Sequence, residues 1–143
     1  MGREGFYISA IKRNGQALEA RVAVDELFDI DPDAKILVCG DFNAGLHEVP
    51  LAILRATVDD TGNPALESRV LHEVEARLPA DRRFSVRHGG RPLLPDHILA
   101  SRSALAKLTK VDIHNENLPD ELRDAEKPIP GSFHAPLVAE FDL

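Results

Sequence analysis

Three polar clusters carry residue types suited to hydrolytic chemistry: Gly40-Asp41-Phe42-Asn43, Pro95-Asp96-His97 and Gly131-Ser132-Phe133-His134. Each stands beside a run that reads as a β-strand, and strand ends are where α/β scaffolds display reactive side chains. Phosphoryl transfer needs a positioned nucleophile and fixed donors where charge gathers, and carboxylates, amides and imidazoles are groups of that kind. Taken singly, each cluster has a plainer explanation. An Asp or Asn after a strand commonly serves a turn. A lone His beside a strand is commonly satisfied by its neighbours or by solvent. Other site patterns fail. His72-Glu73-Val74-Glu75-Ala76 lacks the second His of a zinc-protease helix, and there is neither a GxxxxGK[ST] loop nor a GxSxG elbow. Gly89-Gly90-Arg91 reads as a hairpin turn rather than a phosphate cradle, and Arg82, Arg83 and Arg87 read as solvated charge.

The elements that must position these clusters follow from periodicity. Residues 6–28 read as a helix, most firmly from Gln16, with Ala17, Ala20, Val24, Leu27 and Phe28 at helical spacing. Gly15 marks a kink or the start of that firmer part. Asp31-Pro32-Asp33 stops it. Lys35-Ile36-Leu37-Val38-Cys39 is a short apolar run, the pattern of a strand buried on both faces. Residues 50–56 form a short helix with Pro50 at its first position, 59–64 a loop, and 65–78 a further helix with Leu66, Val70, Leu71 and Val74 on one side. The rest reads mainly as β: Phe84-Ser85-Val86-Arg87, His97-Ile98-Leu99-Ala100, Lys110-Val111-Asp112-Ile113-His114 and Leu137-Val138-Ala139-Glu140-Phe141. One or two helical turns fall within residues 103–108, and residues 118–131 form a charged surface loop.

Bulk properties narrow the class. A chain of 143 residues with 43% apolar and 29% charged residues suits one domain, spanning residues 1–143. A net charge of −7 argues against a protein that grips nucleic acid through a broad basic face. Cys39 is the single cysteine, which excludes an internal disulfide and fits a reducing, cytoplasmic setting. Met1-Gly2-Arg3-Glu4-Gly5 has no signal-peptide character, and no apolar run approaches the length of a membrane span.

Taken together and in order, the clusters resemble the endonuclease/exonuclease/phosphatase (DNase I-like) superfamily. Ile36-Leu37-Val38-Cys39-Gly40-Asp41-Phe42-Asn43 resembles its strand-plus-GDFN signature, Asp96-His97-Ile98-Leu99-Ala100-Ser101 its DHI strand, and Ser132-Phe133-His134-Ala135-Pro136-Leu137 its terminal SDHxP strand. Gly15-Gln16-Ala17-Leu18-Glu19-Ala20-Arg21 resembles the helix preceding GDFN in a bacterial subgroup. The resemblance implies an α/β (α+β) chain forming the C-terminal half of a four-layer α/β/β/α sandwich, with one mixed, mostly antiparallel sheet and helices on one face. It implies catalytic roles for four residues. Asp41 corresponds to the carboxylate that orients or deprotonates the attacking water, and Asn43 to the amide that bonds the scissile phosphate. His134 corresponds to the histidine that steadies the phosphoryl oxygens, and Asp96 to the carboxylate that holds it. An Asp beside a His favours the imidazolium, the form that best steadies a phosphate oxyanion.

Two departures qualify the resemblance. Phe133 stands where the family has Asp, and a phenyl ring binds no metal. The family's Glu-bearing N-terminal half has no counterpart in this sequence. Magnesium or manganese is the cofactor the resemblance implies, but its ligand set is incomplete and no metal residue is assigned; Glu48, just after the GDFN loop, is not a convincing substitute. The expected function is a metal-dependent phosphoester hydrolase half-domain, weak or inactive alone. The alternative is a non-catalytic half-domain serving self-association or partner binding. A half-sandwich leaves one sheet face apolar, with Val38, Val86, Ile98 and Val138 lying there or under the helices, so a homodimer or a separate N-terminal half is the expected partner. The phosphoester substrate is left open.

Overall fold

The computed structural model describes residues 2–129 and 131–143. Its architecture is α+β. Helix α1 (Arg3–Ile30) leads into strand β1 (Leu37–Asp41), helix α2 (Val49–Arg55), a single turn α3 (Val58–Thr61) and the two-residue strand β2 (His72–Glu73). A hairpin of β3 (Val86–His88) and β4 (Arg91–Leu93) precedes the central strand β5 (Asp96–Ala100). A short helix α4 (Arg102–Leu105) and the strands β6 (Leu108–Ile113) and β7 (Leu137–Phe141) complete the chain.

Helix α1 runs unbroken through Gly15, and its buried stripe of Ala17, Arg21, Val24 and Phe28 keeps helical spacing. This stripe packs with Ile36, Leu51, Leu54, Leu71 and Leu99 into the main core between the helices and one face of the β1–β5–β2 sheet. Arg21 enters that core with its donors partnered. Its guanidinium donates to the Leu54 and Arg69 carbonyls at 3.1 and 3.0 Å and pairs with Asp25. A second core lies on the other sheet face, where Ala100 meets Val74, Ala104 and Leu108, flanked by Ile98, Val111, Ala139 and Phe141. The β6–β7 hairpin thus forms a small second layer over β5.

One sheet was expected, and three ladders are found: β1–β5–β2, β3–β4 and β6–β7. Their pairings are antiparallel, and the parallel contact is an isolated bridge between Arg87 and Asp120. The ladders separate because β3–β4 and β6–β7 pair within themselves, the former across Gly89 and Gly90 at φ 59° and 85°. The expectation of a strand buried on both faces is also corrected. Strand β1 is an edge, and the second layer stops short of it. Ile36 is buried and Val38 half-buried, while Leu37 and Cys39 are exposed. Of the four apolar residues expected on the open face or under the helices, Val38 lies under the helices, Ile98 packs against the second core, Val86 is buried, and Val138 is 41% exposed.

The helix expected over residues 65–78 is replaced by 3-10 turns at Pro64–Arg69 and Val74–Arg77 around β2. Its apolar spacing is real, since Val70, Leu71 and Val74 are buried. Pairing of His72 and Glu73 with Ala100 and Leu99 claims the backbone that a helix would need. Residues 118–131 form turns at the surface as expected, with Pro130, like Met1, outside the described residues.

Candidate active site

Asp41 and Asp96 face each other across the end of the β1–β5 ladder. Directly opposed like charges repel, so something must offset them. His134 does so from the loop before β7, its Nδ1–H donating to Asp96 Oδ2 at 2.8 Å. Ligand atoms of Asp41, Asp96 and His134 all lie within 4.8 Å of one another, although the residues are far apart in the chain. The loop carrying His134 is pinned three times. His134 N–H donates to Ser132 Oγ at 3.0 Å, Ala135 N–H to the Ser85 carbonyl at 2.8 Å, and His114 N–H to the Pro136 carbonyl at 3.1 Å.

Asn43 sits differently. Its backbone adopts φ 47°, and its N–H donates to Asp41 Oδ1 at 2.9 Å, an Asx turn that ends the strand. Its side chain borders a hollow of about 270 Å³ that reaches His134 and also Glu48. Glu48 itself accepts from the Gly45 N–H, which ties it to the loop. The main opening is a groove of about 840 Å³. Asp41, Asp96 and His134 line it, and Cys39, Ile98 and Leu137 lie along it. Phe133 is half-buried beside the His134 loop and brings no ligand atom.

Two further groups were given no site role by the motifs, although His97 lies in the DHI strand. Ser85, fully buried, donates its hydroxyl to Asp96 Oδ2, the same oxygen that His134 uses. His97 and Glu75 are buried at 1% and 2% exposure beneath the Asp41–Ala44 loop. His97 Nδ1–H donates to Glu75 Oε1 at 2.6 Å, and Nε2–H to the Ala44 carbonyl at 2.9 Å. Both ring nitrogens face acceptors, an arrangement that favours the imidazolium. Burial works against that charge, but the bonds to Glu75 and Ala44 and the nearby carboxylates outweigh it, and the His97 pKa is raised. The ion pair fixes the loop that carries Asp41 and Asn43 from below. The alternation of β5 could have shown that His97 points away from Asp96 into the core. Nothing in the sequence pairs it with Glu75.

The donor set suits a hard divalent cation. Among the described residues no donor reaches Asp96 Oδ1 or Asp41 Oδ2, which leaves two carboxylate oxygens at one end of the groove. No protein-family model matches the chain, and neither a curated protein nor a solved structure matches it.

Proposed function

We propose that the chain is a phosphoester-hydrolysing half-domain of the endonuclease/exonuclease/phosphatase type, working in a reducing, cytoplasmic setting. The observation that carries this reading is the meeting of Asp41, Asp96 and His134 within 4.8 Å from three separate motifs. Asp41 accepts a proton from the attacking water. The Asn43 amide and His134 Nε2–H donate to phosphoryl oxygens as their charge grows. Asp96, with Ser85 behind it, fixes the His134 ring, since Nδ1 is engaged and Nε2 is left for the ligand. A magnesium or manganese ion, when bound, supplies positive charge to the phosphoryl group, and Asp41 and Asp96 are the residues that would hold it.

The test is hydrolysis of bis(p-nitrophenyl) phosphate by the purified chain with magnesium or manganese, beside His134→Ala. For a half-domain weak or inactive alone, the reading expects at most slow metal-dependent turnover, falling by about 10²–10³ in the variant. Turnover that is indifferent to both metal and His134 would count against it.

A second reading, partner binding, is favoured by the open groove. Leu37, at 40% exposure, and Cys39 leave one face of the edge strand β1 without a covering layer. A second copy of the chain, or a separate chain supplying the N-terminal half of a sandwich, would cover it. Sedimentation at micromolar concentration is expected to show self-association weakened by Leu37→Glu if a second copy fills this role. A monomer that crystallises or copurifies with no covering chain would speak against the reading.

A further inference from the structure

Three hollows meet at the Asp41–Asn43 loop, and their charge is uneven. The large groove is lined by Asp41, Asp96 and Glu116 and by no Lys or Arg. The hollow shared by Asn43 and His134 adds Glu48 and Glu121, again with no Lys or Arg. The third, of about 160 Å³, lies between α1 and the loop, and there Arg13 and Gln16 meet Asp41 and Asn43. A phosphoester carries permanent negative charge, and two of the three hollows offer it no permanent cation.

We infer that Arg13 receives an anionic phosphate oxygen of the substrate in this third hollow, with the Gln16 and Asn43 amides as its fellow donors. The inference rests on the phosphoester reading above and adds a binding residue to it. Arg13, Ala17 and Ala20 fall on one face of α1 at spacings of four and three, and Ala17, at 5% exposure, fixes that face against the core. Pro50 and Leu54 of α2 line the same hollow. Arg13 is half-buried, yet among the described residues it forms no ion pair. Arg21, Arg55, Arg69 and Arg82 are engaged with carboxylates, and the half-buried Arg87 lies over the Phe84 ring. A guanidinium stays charged at every working pH, and its planar fork matches phosphate oxygens. At about 160 Å³ the hollow has room for one phosphoryl group.

The experiment is titration of the full chain with inorganic phosphate, followed by calorimetry and by ³¹P line broadening. Wild type, Arg13→Met, Arg13→Lys and His134→Ala are compared, with circular dichroism confirming that each is folded. The expected result is a roughly tenfold weaker Kd in Arg13→Met and a partial return in Arg13→Lys, because a point charge replaces part of what the fork supplies. Phosphate binding equal to wild type in Arg13→Met, with loss in His134→Ala, would overturn the role of Arg13 and leave the phosphoester reading standing. Equal weakening in Arg13→Lys and Arg13→Met, with a shared loss of helix signal, would also overturn it, because the effect would then be structural. Wild type that leaves phosphate unbound at millimolar concentration would sink both together.

Discussion

Asp96 accepts two side-chain donors through one oxygen, from His134 and from the buried Ser85. Removing the Ser85 hydroxyl leaves Asp96 half-buried with one donor fewer. Ser85→Ala is expected to cost about 1–2 kcal/mol in urea unfolding and to lower turnover as the His134 ring loosens. Asp96→Asn keeps the shape and removes the charge, so a larger loss of turnover than of stability is expected. The four residues expected from motifs are displayed at strand ends, as their types suggested, and three of them gather. Ser85 and the Glu75–His97 pair could not be read, because a buried hydrogen bond depends on which strands adjoin. That pair also has a pH signature. A histidine whose pKa is raised on folding stabilises fully below its unfolded value near 6.5, and loses that contribution as pH rises through the folded value. Glu75→Gln should therefore flatten the fall in melting temperature as pH rises above about 6.5. The His72 pKa is lowered, with burial the largest cause, and by itself gives the opposite slope. The comparison between wild type and Glu75→Gln isolates the His97 part. An unchanged slope would remove the imidazolium argument.

Among the elements, β5 holds both cores apart and is the strand whose loss is felt on each side. Leu99 is fully buried against the helices, and Leu99→Ala is expected to cost about 2–5 kcal/mol, measured as a shift in denaturation midpoint at constant slope. The β3–β4 turn is more local. Gly90 lies at φ 85°, and a Cβ there would stand 2.7 Å from Arg123 Nη2. Gly90→Ala is expected to destabilise by about 1 kcal/mol, mainly through backbone strain, since the Arg123 side chain can move. Strands β5 and β7 were legible because each is an apolar run bounded by turn residues, and β7 spans the residues expected of it. Helix α1 was legible from its apolar spacing, though Leu27, read into the stripe, is 47% exposed and Arg21 is buried in its place. Residues 65–78 misled for a physical reason: alternating burial of a 3-10 turn, two strand residues and another turn reproduces helical spacing without a helix. The exposure of β1 was hidden too, because Leu37-Val38-Cys39 has the composition of a strand covered on both faces whether or not the cover is present.

At the scale of the molecule the layers are unequal: two helices over three strands on one side, and a hairpin with a short helix on the other. The groove follows from that inequality, and its walls combine the candidate chemistry with an uncovered apolar strip. Sequence order alone could place the three motifs but could not show how far the second layer reaches. Helix α1 adds an asymmetry of its own. Residues 3–16 include no fully buried side chain, and this part of the helix extends roughly 20 Å. Tyr7 stands on it at 67% exposure, and the chain has one tyrosine and no tryptophan. The near-ultraviolet emission of this protein therefore comes from one point near the tip of α1. Tyrosine fluorescence will report faithfully on whatever touches that tip, and will stay nearly silent while the distant cores melt.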